Sequence, residues 1–301
     1  MEISNNKFGW VKILLYYYII RLLIRIFDFY FMSLPNLQKY IENNKFFTES
    51  FGSNILWTYY EIVPLIIPIA VVLLFNYFIL HKKLVSIGFV KNKCCKNILM
   101  GIVIGFVLFT LCMIFAIIFR GVSITGISKS ADFTGLLVYF VGFLIQGMEE
   151  EVLYRGFLYQ SLKEKSSISF AVILSSLLFS ISHCNNNGFE FLAFINLFLF
   201  GVVAALIYQK YKNIWMVAAF HGTWNFVQGN IYGIHVSGNE FDYMLFDTTI
   251  KANKSIINGG SFGLEGGIGV TVIMLCAVAL IIYLDYSHYM DRSITGRRKV
   301  C

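Results

Sequence analysis

The sequence predicts an all-α protein, a polytopic transmembrane helical bundle of about eight spans, and three observations lead there. Of 301 residues, 57% are hydrophobic, 17% aromatic and only 14% charged. The mean hydropathy is +0.69. Apolar runs of about 20 residues recur along the chain, each long enough to cross the roughly 30 Å of bilayer hydrocarbon. A formal charge of +7 admits nucleic acid as a partner, but the basic residues sit in short loops between runs. There they act as topology signals, so membrane lipid is expected as a partner and nucleic acid is not.

The first run, 10–32, contains Arg21, Arg25 and Asp28, with the two arginines one turn apart, and so either spans or lies at the interface. A polar connection over 33–53 leads to the second run, 55–80, where Glu61, Pro64 and Pro68 fall and the two prolines predict a kink. A basic loop with Lys82, Lys83, Lys91, Lys93 and Lys96 precedes an uninterrupted third run, 98–119. After a short mixed loop the fourth, 135–158, is closed by Lys163 and Lys165. The fifth, 168–182, is short and ends at His183; the sixth, 189–208, ends at Lys210 and Lys212. The seventh, 214–227, contains His221 and Asn225, and a long polar loop separates it from the eighth, 267–284, and a tail with Arg292, Arg297, Arg298 and Lys299.

Alternating these spans puts Lys7, Lys12, the 82–96 lysines, Lys163, Lys165, Lys210, Lys212 and the tail on one side. Only Lys39, Lys45, Arg120, Lys129, Lys251 and Lys254 fall on the other. The positive-inside rule then gives a multi-pass protein of the cell membrane with both termini in the cytoplasm. Cys94, Cys95, Cys112, Cys184, Cys276 and Cys301 make no paired framework and no CxxC spacing, so free thiols are expected.

The fourth run breaks the apolar pattern with Gln146-Gly147-Met148-Glu149-Glu150-Glu151-Val152-Leu153-Tyr154-Arg155. Charges at the centre of a spanning helix cost a few kcal/mol each and face a protein or water-filled interior, which makes this cluster a candidate functional site. Three i,i+4 pairings stand out: Glu151 with Arg155, Phe179 with His183, and His221 with Asn225. At 1.5 Å per residue from the cytoplasmic ends, Glu150 lies roughly 15 Å deep, His221 roughly 12 Å, Asn225 roughly 18 Å and His183 roughly 22 Å. They form one band around the middle of the bilayer, with His183 the outlier. A buried glutamate beside an imidazole can take a proton from water, and an asparagine or second histidine can stabilise an oxyanion. Two histidines and a carboxylate can equally ligate zinc and leave a position for water. Both routes end in hydrolysis, and the residue types serve either.

The three motifs, Glu150-Glu151-x-x-x-Arg155, Phe179-x-x-x-His183 and His221-x-x-x-Asn225, resemble in order those of the CAAX-protease and bacteriocin-processing (CPBP, or Abi) family of intramembrane proteases, over about 98–284. The resemblance implies a helical membrane fold and an intramembrane endopeptidase acting on a membrane-associated protein or peptide, in the middle or cytoplasmic half of the bilayer. It implies Glu150 as water-activating base, Glu151 with Arg155 as supporting pair, and His183 as assistant or ligand. His221 with Asn225 would serve the oxyanion, or Glu150, His183 and His221 a zinc ion. It divides the chain into membrane segments with a basic loop over 1–97, a protease core over 98–285 and a basic tail over 286–301. Bacterial relatives suggest maturation or degradation of small peptides, including bacteriocin immunity. Gly259-Gly260-Ser261-Phe262-Gly263-Leu264-Glu265-Gly266-Gly267 also looks like a segment of bacterial members, with no role attached. The additional Glu149 departs from the pattern and bears on which glutamate acts.

The alternative is a catalytically idle scaffold or regulator, for example in bacteriocin immunity or sensor-kinase binding. A costly set of buried polar groups argues against it. A transporter is disfavoured by the absence of an inverted repeat. HExxH, GxSG and GxGD are all missing, which disfavours other intramembrane proteases. Outside the motifs, Arg21, Arg25, Asp28 and Glu61 read as snorkelling or packing groups.

Overall fold

The structure, a computed structural model, describes residues 9–32 and 63–297. The 33–53 connection, Glu61 and the start of the second run lie outside these residues, as do Lys7, Lys39, Lys45, Arg298, Lys299 and Cys301. The described chain is mostly helical. Helix α1 is Gly9–Met32, α2 Val63–Phe78 with Pro68 inside it, and α3 Cys94–Ile118. Helix α4, Phe133–Glu151, passes into a π-helical stretch, Val152–Tyr159, and a short α5, Gln160–Lys165. Helices α6, Ile168–Ser182, α7, Phe191–Tyr211, and α8, Ile214–Phe226, follow; α8 runs on through a π turn, Val227–Ile231. The last long helix, α10, is Ile268–Arg297, preceded by the one-turn α9, Ser255–Asn258.

Local chemistry sets several of these starts. Asp132 accepts from Gly135 N, Ser167 from Phe170 N and Asn213 from Met216 N, so α4, α6 and α8 each open on a capped N-terminus. Among the described residues three helices are long and apolar enough to cross a membrane: α3, α7 and the 268–287 part of α10. Helices α2 and α6 are apolar but shorter. The helix bearing the acidic cluster ends on three glutamates. The site itself thus lowers the apolarity of the segment that carries it.

One addition to the helical expectation is a two-stranded antiparallel sheet. β1, Val122–Ile127, pairs with β2, Phe246–Ile250, from Val122↔Ile250 to Ile127↔Phe246, with a bulge between Ile124 and Gly126. The partners are more than a hundred residues apart in sequence, so no hairpin signal announces the pairing.

Helix α8 packs between α3 and α4 and is almost wholly buried. Small residues allow this. A Cβ on Gly147 of α4 would stand 2.5 Å from Ala218 O, and one on Gly222 of α8 would overlap Phe143 O. On the other side, Gly101 and Gly105 of α3 lie against the backbone of Met216 and Phe220. Without a hydrophobic drive between helices in lipid, such close backbone contact is what holds helices together.

The basic side chains separate towards two ends of the bundle. Lys82 pairs with Glu164 at 2.7 Å, Lys163 donates to Gln209, Lys210 pairs with Asp285 at 2.7 Å, and the Lys165 chain packs on Gly9. At the other end Lys251 N donates to Gly121 O beside the sheet, next to Arg120. The five described cysteines, Cys94, Cys95, Cys112, Cys184 and Cys276, are free thiols.

Candidate active site

The close α4–α8 crossing at Gly147 and Gly222 brings the first and third motifs together. Consecutive helix residues point about 100° apart, so the three glutamates face three surroundings. Glu151 is fully buried, and its Oε1 accepts from Arg155 Nη1 at 2.8 Å and from His221 Nδ1 at 2.9 Å. Arg155, also fully buried, donates through Nη2 to Gly201 O at 3.1 Å and lies 4.8 Å above the Phe179 ring. The guanidinium is therefore held by a carboxylate, a carbonyl and a ring face together. Phe179 also packs edge-on to His221, with ring centroids 5.8 Å apart, and 4.9 Å from His183. The second motif's aromatic residue thus touches a residue of each of the other two motifs.

Glu150 has different surroundings. Its Oε1 accepts from Gln146 Nε2 at 2.6 Å, and Gln146 Oε1 accepts from Asn225 Nδ2 at 2.8 Å, an amide relay from α8 to the carboxylate. Its Oε2 is buried without a hydrogen-bond partner and stands 3.9 Å from His183 Nε2. His183 Nδ1 lies 2.9 Å from Phe179 O and donates to it, which turns Nε2 towards Glu150. Counting depth along each helix makes His183 an outlier because the count takes the spans to end level with one another. Contact with Glu150 places the two at the same height.

A cavity of about 690 Å³ opens on this wall. Gln146, Glu150, His183, His221 and Asn225 line it together with Tyr139, Phe143, Phe179 and Phe200. Glu151 and Arg155 do not line it; they sit behind the wall and hold His221. With Nδ1 engaged by Glu151, Nε2 is the nitrogen His221 has left for the cavity. Glu149 faces a separate small pocket. The site residues therefore separate into a cavity group, Glu150, His183, His221 and Asn225, and a supporting pair.

The zinc alternative requires Glu150, His183 and His221 to converge on one point. Among the described residues no three histidine, cysteine, aspartate or glutamate side chains do so. The bonds of Glu150 Oε1 to Gln146 and of His221 Nδ1 to Glu151 leave Glu150 Oε2 and the two histidine Nε2 atoms as the donors a zinc ion would take, and as placed they do not converge on one point.

Two cavity residues carry no role in the sequence reading. Gln146 lies one turn before Glu150, and the i,i+4 rule applied to Glu151 would have reached it. Glu265, from the glycine-rich segment, is buried; its Oε1 accepts from Trp224 Nε1 at 3.0 Å and its Oε2 from Ser237 N at 2.9 Å and Ser237 Oγ at 2.6 Å. It thereby fastens the strap 236–242, which lines the cavity, to the helix of His221. Asn196 of α7 donates to Glu265 O at 2.7 Å and to Gly267 O at 2.8 Å. Gly263, at φ +91°, lies so close to His235 O that a Cβ has no room. The glycines let the segment wind beneath the strap.

Residues 132–227 match the family described as type II CAAX prenyl endopeptidase Rce1-like. The match runs from the cap of α4 to the end of α8 and includes all three motifs. No curated protein matches the chain. This segment, which builds much of the cavity wall, is less than half of the chain and is similar to the CAAX-type membrane endopeptidases of that family.

Proposed function

We propose that the protein is an intramembrane endopeptidase of the CAAX-protease/Abi type that hydrolyses a peptide bond of a membrane-associated protein or peptide with water activated by Glu150 and His183. The observation that carries this reading is the gap at the cavity wall: an unpartnered carboxylate oxygen, Glu150 Oε2, facing the free Nε2 of His183 across 3.9 Å. A water at the apex of that gap donates one hydrogen to each and directs a lone pair into the cavity. As it attacks the carbonyl carbon, its proton passes to Glu150. The oxyanion is met from α8, by the second N–H of Asn225 and by Nε2–H of His221 as an imidazolium whose Nδ1–H is held by Glu151. Glu150 then returns the proton to the leaving amine.

The Gln146–Asn225 relay fixes the Glu150 carboxylate, and the Glu151–Arg155 pair fixes His221, so both reacting groups are set before substrate arrives. In this reading 98–285 is the catalytic core, and the lysine-rich end of the bundle lies in the cytoplasm with both termini. The cavity is lined from the sheet end, by Tyr139, Asn186, Asp242 and Met244. The scissile bond is then reached from the half of the bilayer opposite the lysines, rather than from its cytoplasmic half.

The test is cleavage of a library of lipid-modified and unmodified peptides by purified protein in detergent, comparing wild type with Glu150→Gln and His183→Ala, with and without chelator. Loss in Glu150→Gln with full activity in chelator is the expected result. Wild-type rates in Glu150→Gln would end the reading, and loss in chelator restored by zinc would replace it with a metallopeptidase.

A further inference from the structure

Helix α1 lies outside the segment that matches the family, and its charges read from sequence as snorkelling or packing groups. In the structure α1 packs against the π-helical stretch after the acidic cluster. Tyr17 and Ile20 are buried, and Tyr17 Oη lies 3.2 Å from Tyr154 Oη. One turn after Tyr17, Arg21 reaches a second cavity of about 220 Å³. Arg21, Glu149, Tyr154 and Ser182 line it, and Glu150, His183 and Asn186 form the wall it shares with the larger cavity. Every lining side chain is polar. The larger cavity, in contrast, is walled in part by Phe143, Phe179, Leu197 and Phe200.

Several features point to water as the occupant. The volume suits several waters at about 30 Å³ each, and a polar, roomy cavity is hydrated where an apolar one stays dry. Arg21 interacts electrostatically with Glu149 and Glu150, which leaves no excess cation for an anionic ligand. Among the described residues three buried carboxylate oxygens lack protein partners: Glu151 Oε2 behind the wall, Glu150 Oε2 on the shared wall, and Oδ1 of Asp28, which interacts with Arg21 and Glu149. Buried polar atoms without protein partners are places where ordered water is expected. Arg21, Arg25 and Asp28 stand at i, i+4 and i+7, a polar stripe on α1 leading away from the chamber.

We propose that this chamber stores and delivers the hydrolytic water, reaching Glu150 and His183 from behind while a substrate segment fills the larger cavity, and that Arg21 is the positioning residue that keeps it hydrated. The inference rests on the hydrolase reading above. A substrate that occupies the 690 Å³ cavity displaces water from the front of the wall, so a peptidase within hydrocarbon needs a second supply. The shared wall provides one, since Glu150 and His183 border both spaces.

Two measurements test it. In the first, kinetics of Arg21→Leu and Arg21→Lys are compared with wild type. The expected result is a fall in kcat of about tenfold or more for leucine with KM nearly unchanged, and recovery with lysine. A purely structural role would lower the amount of folded enzyme instead. The second does not use activity: Arg21→Cys is placed in the Glu150→Gln protein with Cys184→Ser, and treated with a small cationic methanethiosulfonate with and without saturating library peptide. The same background retaining Arg21 reports labelling at the other cysteines. Labelling of the introduced thiol that persists with peptide bound is expected. An unlabelled thiol, labelling abolished by peptide, or wild-type kcat in Arg21→Leu overturns the chamber. A catalytically silent wild type overturns the hydrolase reading and with it the delivery of hydrolytic water, whereas an active wild type with a failed labelling result overturns the chamber alone.

Discussion

Glu150 and Glu151 are adjacent in the chain and opposite in surroundings. Glu151 lies in a closed node, fully buried, its Oε1 shared by Arg155 and His221. Glu150 lies in an open one, with one oxygen fixed by Gln146 and the other facing a gap. The difference teaches how a membrane protein can carry four charged residues within one stretch of helix. Both glutamates keep a second oxygen without a protein partner; that of Glu151 is sealed behind the wall beside Arg155, whereas that of Glu150 faces His183 at the wall of the cavity. In the proposed mechanism, stability and chemistry fall to consecutive residues.

That division is most sharply tested at Glu151. Removing it leaves Arg155 buried without a counter-charge, so Glu151→Ala should cost about 3–5 kcal/mol, read as a fall in the detergent melting temperature. Pairing Glu151→Leu with Arg155→Met should recover much of that loss, since a buried ion pair can be replaced by apolar groups of similar volume. Activity should stay low in the double variant, because His221 has lost its acceptor. Recovery of both would show the node to be architecture only.

The open node should behave in reverse. Glu150→Gln should lower kcat by about 10²–10⁴ while the melting temperature changes little. A large loss of stability with proportionate loss of activity would remove the distinction between the two glutamates.

Smaller effects are expected at the groups that support the cavity. Glu265→Gln presents an amide N–H where Ser237 N–H now donates, and the mismatch should cost about 1–3 kcal/mol. Because it loosens the strap, KM should rise more than kcat falls. Gln146→Leu removes the relay between Asn225 and Glu150, and should cost about 1 kcal/mol in the transition state, a roughly five- to tenfold drop in kcat/KM. An unchanged rate would leave the relay without a role.

How much of this is legible beforehand follows from the range of each signal. The i,i+4 rule reads one helix face, so it reaches the Glu151–Arg155 contact directly, and it could have reached Gln146. It does not see across helices: nothing local to Glu265 indicates that Trp224 and Ser237 will meet its carboxylate. Arg21 reads as a snorkelling or packing residue because hydropathy locates a charge along the helix axis but not around it. The β1–β2 pairing escapes the sequence because each strand is short and its partner distant.

By itself the sequence determined the membrane class, the approximate positions of most of the described helices and the three motifs, since hydropathy and helical spacing are properties of contiguous residues. Only the tertiary structure decided which glutamate faces the cavity, which residues stand behind the wall and that α1 borders the site. Those depend on the rotation and separation of helices from distant parts of the chain, set here by backbone contacts such as Gly147 against Gly222. Such contacts exist only once the bundle has packed.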